Sequence, residues 1–108
     1  MKEKEIRVLA KSRLEKKGFM VWFPPRAGWY QSRDVKDIFG VFDLVAVRKG
    51  SITFIQLTTK PNLSARRKKI QAWYREVGKR TPRCYVWAWD KKRSAFKIEN
   101  VAYAEAKI

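Results

Sequence analysis

The sequence predicts an α/β fold, a central mixed β-sheet flanked by helices. Two segments carry apolar residues at helical spacing, and between and after them lie short apolar, β-branched runs. A Lys-Gly pair joins two of those runs into a hairpin. The order reads α-β-β-β-α-β, or α-β-β-β-α-β-β, according to how the short runs are counted. At 108 residues the chain has the usual size of one domain, spanning 1–108.

Residues 3–17 place Ile6, Leu9, Ala10 and Leu14 on one side of a helix, with charges around them and Gly18 at the C-terminal cap. Residues 19–23 (FMVWF) form a short β-prone run stopped by Pro24 and Pro25. Residues 24–40 read as a loop that carries Arg26, Trp29, Tyr30, Arg33 and Lys36. Residues 41–48 (VFDLVAVR) are a mostly apolar strand with Asp43 inside it; Lys49-Gly50 turns the chain, and residues 51–59 (SITFIQLTT) return. Pro61 and Asn62 then break the chain. Leu63, Ile70, Trp73 and Val77 mark the apolar side of a second helix that ends near Gly78. Residues 84–89 (CYVWAW) are a further buried strand, 95–98 another, and 101–106 a short terminal turn or helix.

Charge bounds the function. Lys and Arg total 26 against 10 Asp and Glu, a net charge of +16, in a chain that is 45% hydrophobic and 14% aromatic. A folded domain with that much self-repulsion is expected to meet a polyanion, nucleic acid first and an anionic membrane surface second. No apolar run approaches the roughly 18 residues that span a bilayer, and the charged first 17 residues do not resemble a signal peptide, so the expected location is cytoplasmic. The single Cys84 excludes an internal disulfide. The absence of histidine excludes Cys/His zinc sites, histidine acid–base catalysis and Ser-His-Asp triads. Carboxylates, lysines, hydroxyls and a hard, oxygen-ligated metal are what remain.

Asp43 is the first candidate. A carboxylate in a buried strand costs several kcal/mol, roughly, unless it is paired or bound to metal. The facing strand offers Gln56, Thr58 and Lys60 at period two, all on one face, and the hairpin can bring Asp43 close to Gln56. The plain alternative is a structural acid bonded to backbone or to an arginine.

Gly18-Phe19, the run Asp37-Ile38-Phe39-Gly40-Val41-Phe42-Asp43-Leu44-Val45-Ala46-Val47, and Phe54-Ile55-Gln56-Leu57-Thr58 thirteen residues after Asp43 together resemble the PD-(D/E)XK nuclease superfamily. Within it they are most similar to archaeal Holliday-junction resolvases and related phage nucleases, over residues 3–90. The resemblance implies a restriction-endonuclease-like fold and hydrolysis of DNA phosphodiesters with Mg²⁺ or Mn²⁺ bound by an acid at Asp43 and by the residue at position 56. Gln56 stands where a Glu is expected and Thr58 where a Lys is expected. Glutamine can ligate magnesium without adding charge; threonine cannot act as a cation. Three residues can compensate: Lys60 by swinging its amine back, Asp37 as a second carboxylate, and Glu3, ahead of Glu5, as the acid many relatives carry on the first helix. The helix position that matches that acid by counting is Arg7.

Arg66, Arg67, Lys68 and Lys69 open the second helix directly after this strand and are expected to contact phosphate; Lys91-Lys92-Arg93 reads as a turn. Trp29 and Tyr30, with Arg26 and Arg33 beside them, can stack on bases or pack against the sheet. Gln71 and Tyr74 echo a Gln/Tyr helix pattern of some nuclease relatives. The expected function is a metal-dependent, Holliday-junction resolvase-like endonuclease on structured or branched DNA, working as a homodimer. A catalytically impaired DNA-binding relative is the alternative, and an unrelated basic nucleic-acid-binding domain the third.

Overall fold

A computed structural model describes residues 2–24, 38–78 and 82–102. Arg26, Trp29, Tyr30, Arg33, Lys36 and Asp37 lie outside the described residues, as does the expected terminal element beyond residue 102. The elements are α1 (Glu3–Lys16), β1 (Met20–Trp22), β2 (Leu44–Arg48), β3 (Ser51–Thr59), a one-turn 3-10 helix (Lys60–Asn62), α2 (Leu63–Val77), β4 (Arg83–Asp90) and β5 (Ala95–Val101). The strands form one five-stranded mixed sheet in the order β1-β2-β3-β4-β5. Only the β3–β4 pair is parallel, because α2 lies between them and returns the chain to the same end of the sheet. The architecture is compatible with a restriction-endonuclease-like fold.

α1 stops because Gly18 adopts φ +89°. The Gly18 N–H donates to Glu15 O and the Phe19 N–H to Leu14 O, at 3.0 and 3.1 Å, which satisfies carbonyls the helix would otherwise leave open. At the β2–β3 hairpin, Lys49 and Gly50 both have positive φ, the I′ pattern that matches the twist of a two-residue hairpin. Asp90 organises the β4–β5 turn by accepting the Lys92 and Arg93 backbone N–H groups, and residues 91–93 form a turn, as expected.

Alternation along β3 and β4 divides the core between two faces. Ile55, Leu57, Trp87 and Trp89 pack with Leu44, Ala46 and the Ile6, Ala10 and Leu14 stripe of α1. Val86, Ala88, Cys84 and Val101 pack on the opposite face with Leu63, Ile70 and Tyr74 of α2. Both central strands are therefore covered on both sides, which explains their nearly unbroken apolar sequences. Burial pushes the Cys84 thiol up to about 11, against a smaller opposing effect from Tyr74.

Two boundaries and one buried stripe differ from expectation. The strand expected at 41–48 begins only at Leu44, because the turn at Phe39 and Gly40 folds Ile38 back onto Phe42 and leaves Asp43 in a bend. The strand expected at 95–98 runs on to Val101, paired along its length with β4. On α2 the buried stripe uses Tyr74, whose hydroxyl donates to Pro82 O, whereas Val77 is 48% exposed. A core of this density should make Phe42→Ala, at a fully buried ring, lower the unfolding free energy by about 3–5 kcal/mol. Val77→Ala should change it by less than about 0.5 kcal/mol; urea melts of the two variants check both.

Candidate functional site

The ladder between β2 and β3 ends at Leu44 opposite Ile55, whereas β3 continues beside β4 as far as Thr59 opposite Trp89. Asp43 completes the edge that β2 leaves. Its backbone N–H donates to Ile55 O at 2.9 Å, and its Oδ2 accepts the Leu57 N–H at 2.6 Å. The carboxylate thus does the work of a strand carbonyl in a short, charge-assisted hydrogen bond.

A cleft of about 260 Å³ opens at this carboxyl end of β3. Asp43, Gln56, Leu57, Thr58 and Thr59 form its floor; Glu3, Ile6 and Arg7 come from the start of α1, and Asn62 and Arg66 from the start of α2. The structure therefore brings Glu3, Asp43, Gln56, Thr58 and Arg66 into one cleft, while Glu5 is not among its lining residues. Two acids and two arginines share the space. Both helices also direct their N-terminal ends toward it, an arrangement that favours an anion.

Two buried polar groups in the cleft find no partner among the described residues. Gln56 Nε2 donates to Leu57 O at 3.1 Å, but among the described residues Gln56 Oε1 and Thr58 Oγ1 make no hydrogen bond, although both residues are more than 90% buried. Buried oxygens of this kind call for water or an ion. Among the described residues no three carboxylate, cysteine or histidine side chains cluster as a metal cage. The donor set fits a hard cation that keeps several waters, held by Asp43 with Gln56 Oε1 and with Glu3 at the rim, as magnesium commonly is.

Lys60 is a correction. Pro61 and Asn62 end the strand at Thr59, so the period-two alternation stops one residue short of Lys60, which begins the 3-10 turn. Its Nζ lies 3.4 Å from Asp90 Oδ2 and it does not line the cleft. Burial tends to raise the Asp90 carboxyl, but the Arg93 N–H, the Lys60 hydrogen bond and charge, and the Lys92 N–H outweigh it and hold that carboxyl below its ordinary value.

The basic cluster of α2 also divides. Arg66 turns into the cleft, and Lys68 and Lys69 are exposed. Arg67 instead forms a bidentate pair with Glu99 on β5, at 2.7 and 3.0 Å; that hydrogen bond, then the charge of Glu99, raises the guanidinium pKa. Asn62 and Thr59 were not singled out from sequence. Asn62 and Arg66 stand four apart across the first turn of α2, so they share a face, and that spacing directly after the strand break is the signal that could have found the pair. Arg7 occupies the cleft where the resemblance leads one to expect an acid, with its guanidinium 4.6 Å from the Phe23 ring.

In comparisons with known proteins, no family model matches the chain and no curated protein matches it.

Two measurable consequences follow from these contacts. Asp43→Ala leaves the Leu57 N–H without its acceptor and should destabilise the fold by about 1–3 kcal/mol, whereas Asp43→Asn keeps an acceptor oxygen and should recover much of that loss in a denaturant melt. For Asp90 the folded pKa lies below the unfolded value of about 3.9. The stability it contributes is therefore complete above that value and is lost as pH falls through the lower folded one. Asp90→Asn should flatten Tm against pH below about pH 4.

Proposed function

We propose that this protein is a PD-(D/E)XK-like endonuclease domain that acts on structured or branched DNA with Mg²⁺ or Mn²⁺, similar to Holliday-junction resolvases and working as a homodimer in the cytoplasm. The observation that carries the reading is the cleft at the end of β3, where Asp43, Gln56 and Thr58 meet Glu3 of α1 and Arg66 of α2. Among the described residues no helix is long and apolar enough to cross a membrane, and the charge of +16 suits a polyanion.

Each residue has a part in that chemistry. Asp43, with Gln56 Oε1, would hold the cation, and Glu3 at the rim would add the charge that Gln56 lacks. A metal bound there would supply Lewis-acid chemistry, easing deprotonation of water and offsetting charge on the phosphate. Arg66 and Arg7 hold the phosphate oxygens in place, Arg66 by the planar donor fork that suits them. Arg66 thereby takes the charge-stabilising role that the resemblance assigns to a lysine at position 58. Thr58 Oγ1 would orient water in the cleft. Lys60, tied to Asp90, supports the 3-10 turn that leads into α2.

A second reading draws on the same residues. Gln56 and Thr58 carry no charge, and Lys60 is engaged elsewhere, which favours a nuclease-derived domain that binds DNA without cutting it. Cleavage assays on branched and linear DNA with Mg²⁺ or Mn²⁺ separate the two. The wild type should cut, Asp43→Asn should reduce the rate at least about 100-fold while DNA binding persists, and Gln56→Glu should lower the metal concentration required. If the wild type cuts nothing while the Gln56→Glu, Thr58→Lys double variant does, the binding reading stands. If neither cuts and the wild type binds no DNA, both readings fail.

A further inference from the structure

The turn before Asp43 holds an anomaly. Ile38 and Val41 close it, with the Val41 N–H donating to Ile38 O at 3.0 Å, and its central residues Phe39 and Gly40 have φ +56° and +68°. This is the I′ pattern, which suits Asn-Gly. A bulky side chain in the left-handed region is strained, and burial offsets little of that strain, because Phe39 is 67% exposed. Strain of this kind, held in place by surrounding structure, points to use rather than to stability.

The surroundings do hold it. The Phe39 ring lies nearly parallel to Trp73 of α2, with centroids 5.8 Å apart and planes at 29°, and its edge meets Phe54 at 6.1 Å. Phe42 and Trp73 pack edge to face beneath, at 4.9 Å. One ring is thus presented to solvent on a rigid aromatic base. Arg66, Lys69 and Trp73 follow at spacings of three and four along α2, on one face of the helix. Neither cation has an acidic partner among the described residues. From Arg66 in the cleft to Trp73 the helix rises about 10 Å.

We propose that Phe39 is a stacking site for an unpaired nucleobase, lying next to a phosphate track that runs from Arg66 to Lys69. The aromatic face accepts any base, and Arg66 and Lys69 hold the backbone on the cleft side of it. The site rests on the DNA-processing reading above and deepens it: it selects substrates with unpaired bases near the cleft and gives no preference among sequences.

The test is fluorescence anisotropy in the absence of divalent metal, with one labelled duplex fully paired and the same duplex carrying a short central gap. The wild type should bind the gapped form more tightly. Phe39→Asn should lose that preference by about 5- to 100-fold while binding the paired duplex as before, and Phe39→Trp should keep it. Asn suits the left-handed position, so Phe39→Asn should melt at an unchanged or higher temperature. A gapped-duplex preference that survives in Phe39→Asn, or a lower Tm for that variant, overturns the stacking site. Equal wild-type affinity for both duplexes overturns it too and leaves the DNA reading in place, whereas a wild type that binds neither duplex removes the DNA reading itself.

Discussion

The hydrogen bond from the Leu57 N–H to the Asp43 carboxylate joins the end of β3 to the chain entering β2, and the cleft takes its form from that contact. β2 is too short to pair with residues 56–59, so among the described strands β3 would otherwise present an open edge where α1 and α2 begin. An open edge of that kind invites unwanted pairing. Closing it with a side chain, rather than with another strand, leaves room for Gln56 and Thr58 to face a cavity. It also places a carboxylate there.

The layered core explains why both helices reach the same cleft. α1 packs on the face that carries Ile55, Leu57 and the tryptophans of β4, and α2 on the face that carries Val86 and Ala88. Each helix begins at the carboxyl end of β3, the place where open α/β sheets commonly bind ligands. The helix starts contribute Glu3 and Arg7 from one side and Asn62 and Arg66 from the other. Buried oxygens of Gln56 and Thr58 lie between them, without a hydrogen-bond partner among the described residues. Acids, amides and arginines in one small volume suit a phosphate with a hydrated cation better than an apolar ligand.

Much of this was legible in the sequence, for local reasons. Lys49-Gly50 announces its hairpin, Gly18 its helix end, and the alternation of β3 its two faces. The proximity of Asp43 and Gln56 follows from the hairpin register alone. What was illegible depends on contacts between distant residues or on where an element stops. Lys60 read as part of β3 because period two was extended one residue past Thr59, although Pro61 follows. Arg67 read as a phosphate contact because its partner Glu99 lies 32 residues away on β5. Val41 and Phe42 read as strand because their apolar character comes from packing on α2, while the turn at Phe39 and Gly40 sets their backbone. Tyr74 replaces Val77 in the buried stripe because its hydroxyl finds Pro82 O.

The proposed function depends on the cleft at the end of β3 being a cation and phosphate site centred on Asp43. The most direct measurement is paramagnetic broadening of backbone amide signals as Mn²⁺ is added to the isotopically labelled protein at low stoichiometry. The amides of Asp43, Leu57, Thr58 and Asn62 should broaden first, and Asp43→Asn should abolish the effect. Broadening that begins elsewhere, around Glu99 or Asp90 for example, or none at stoichiometric metal, would contradict it.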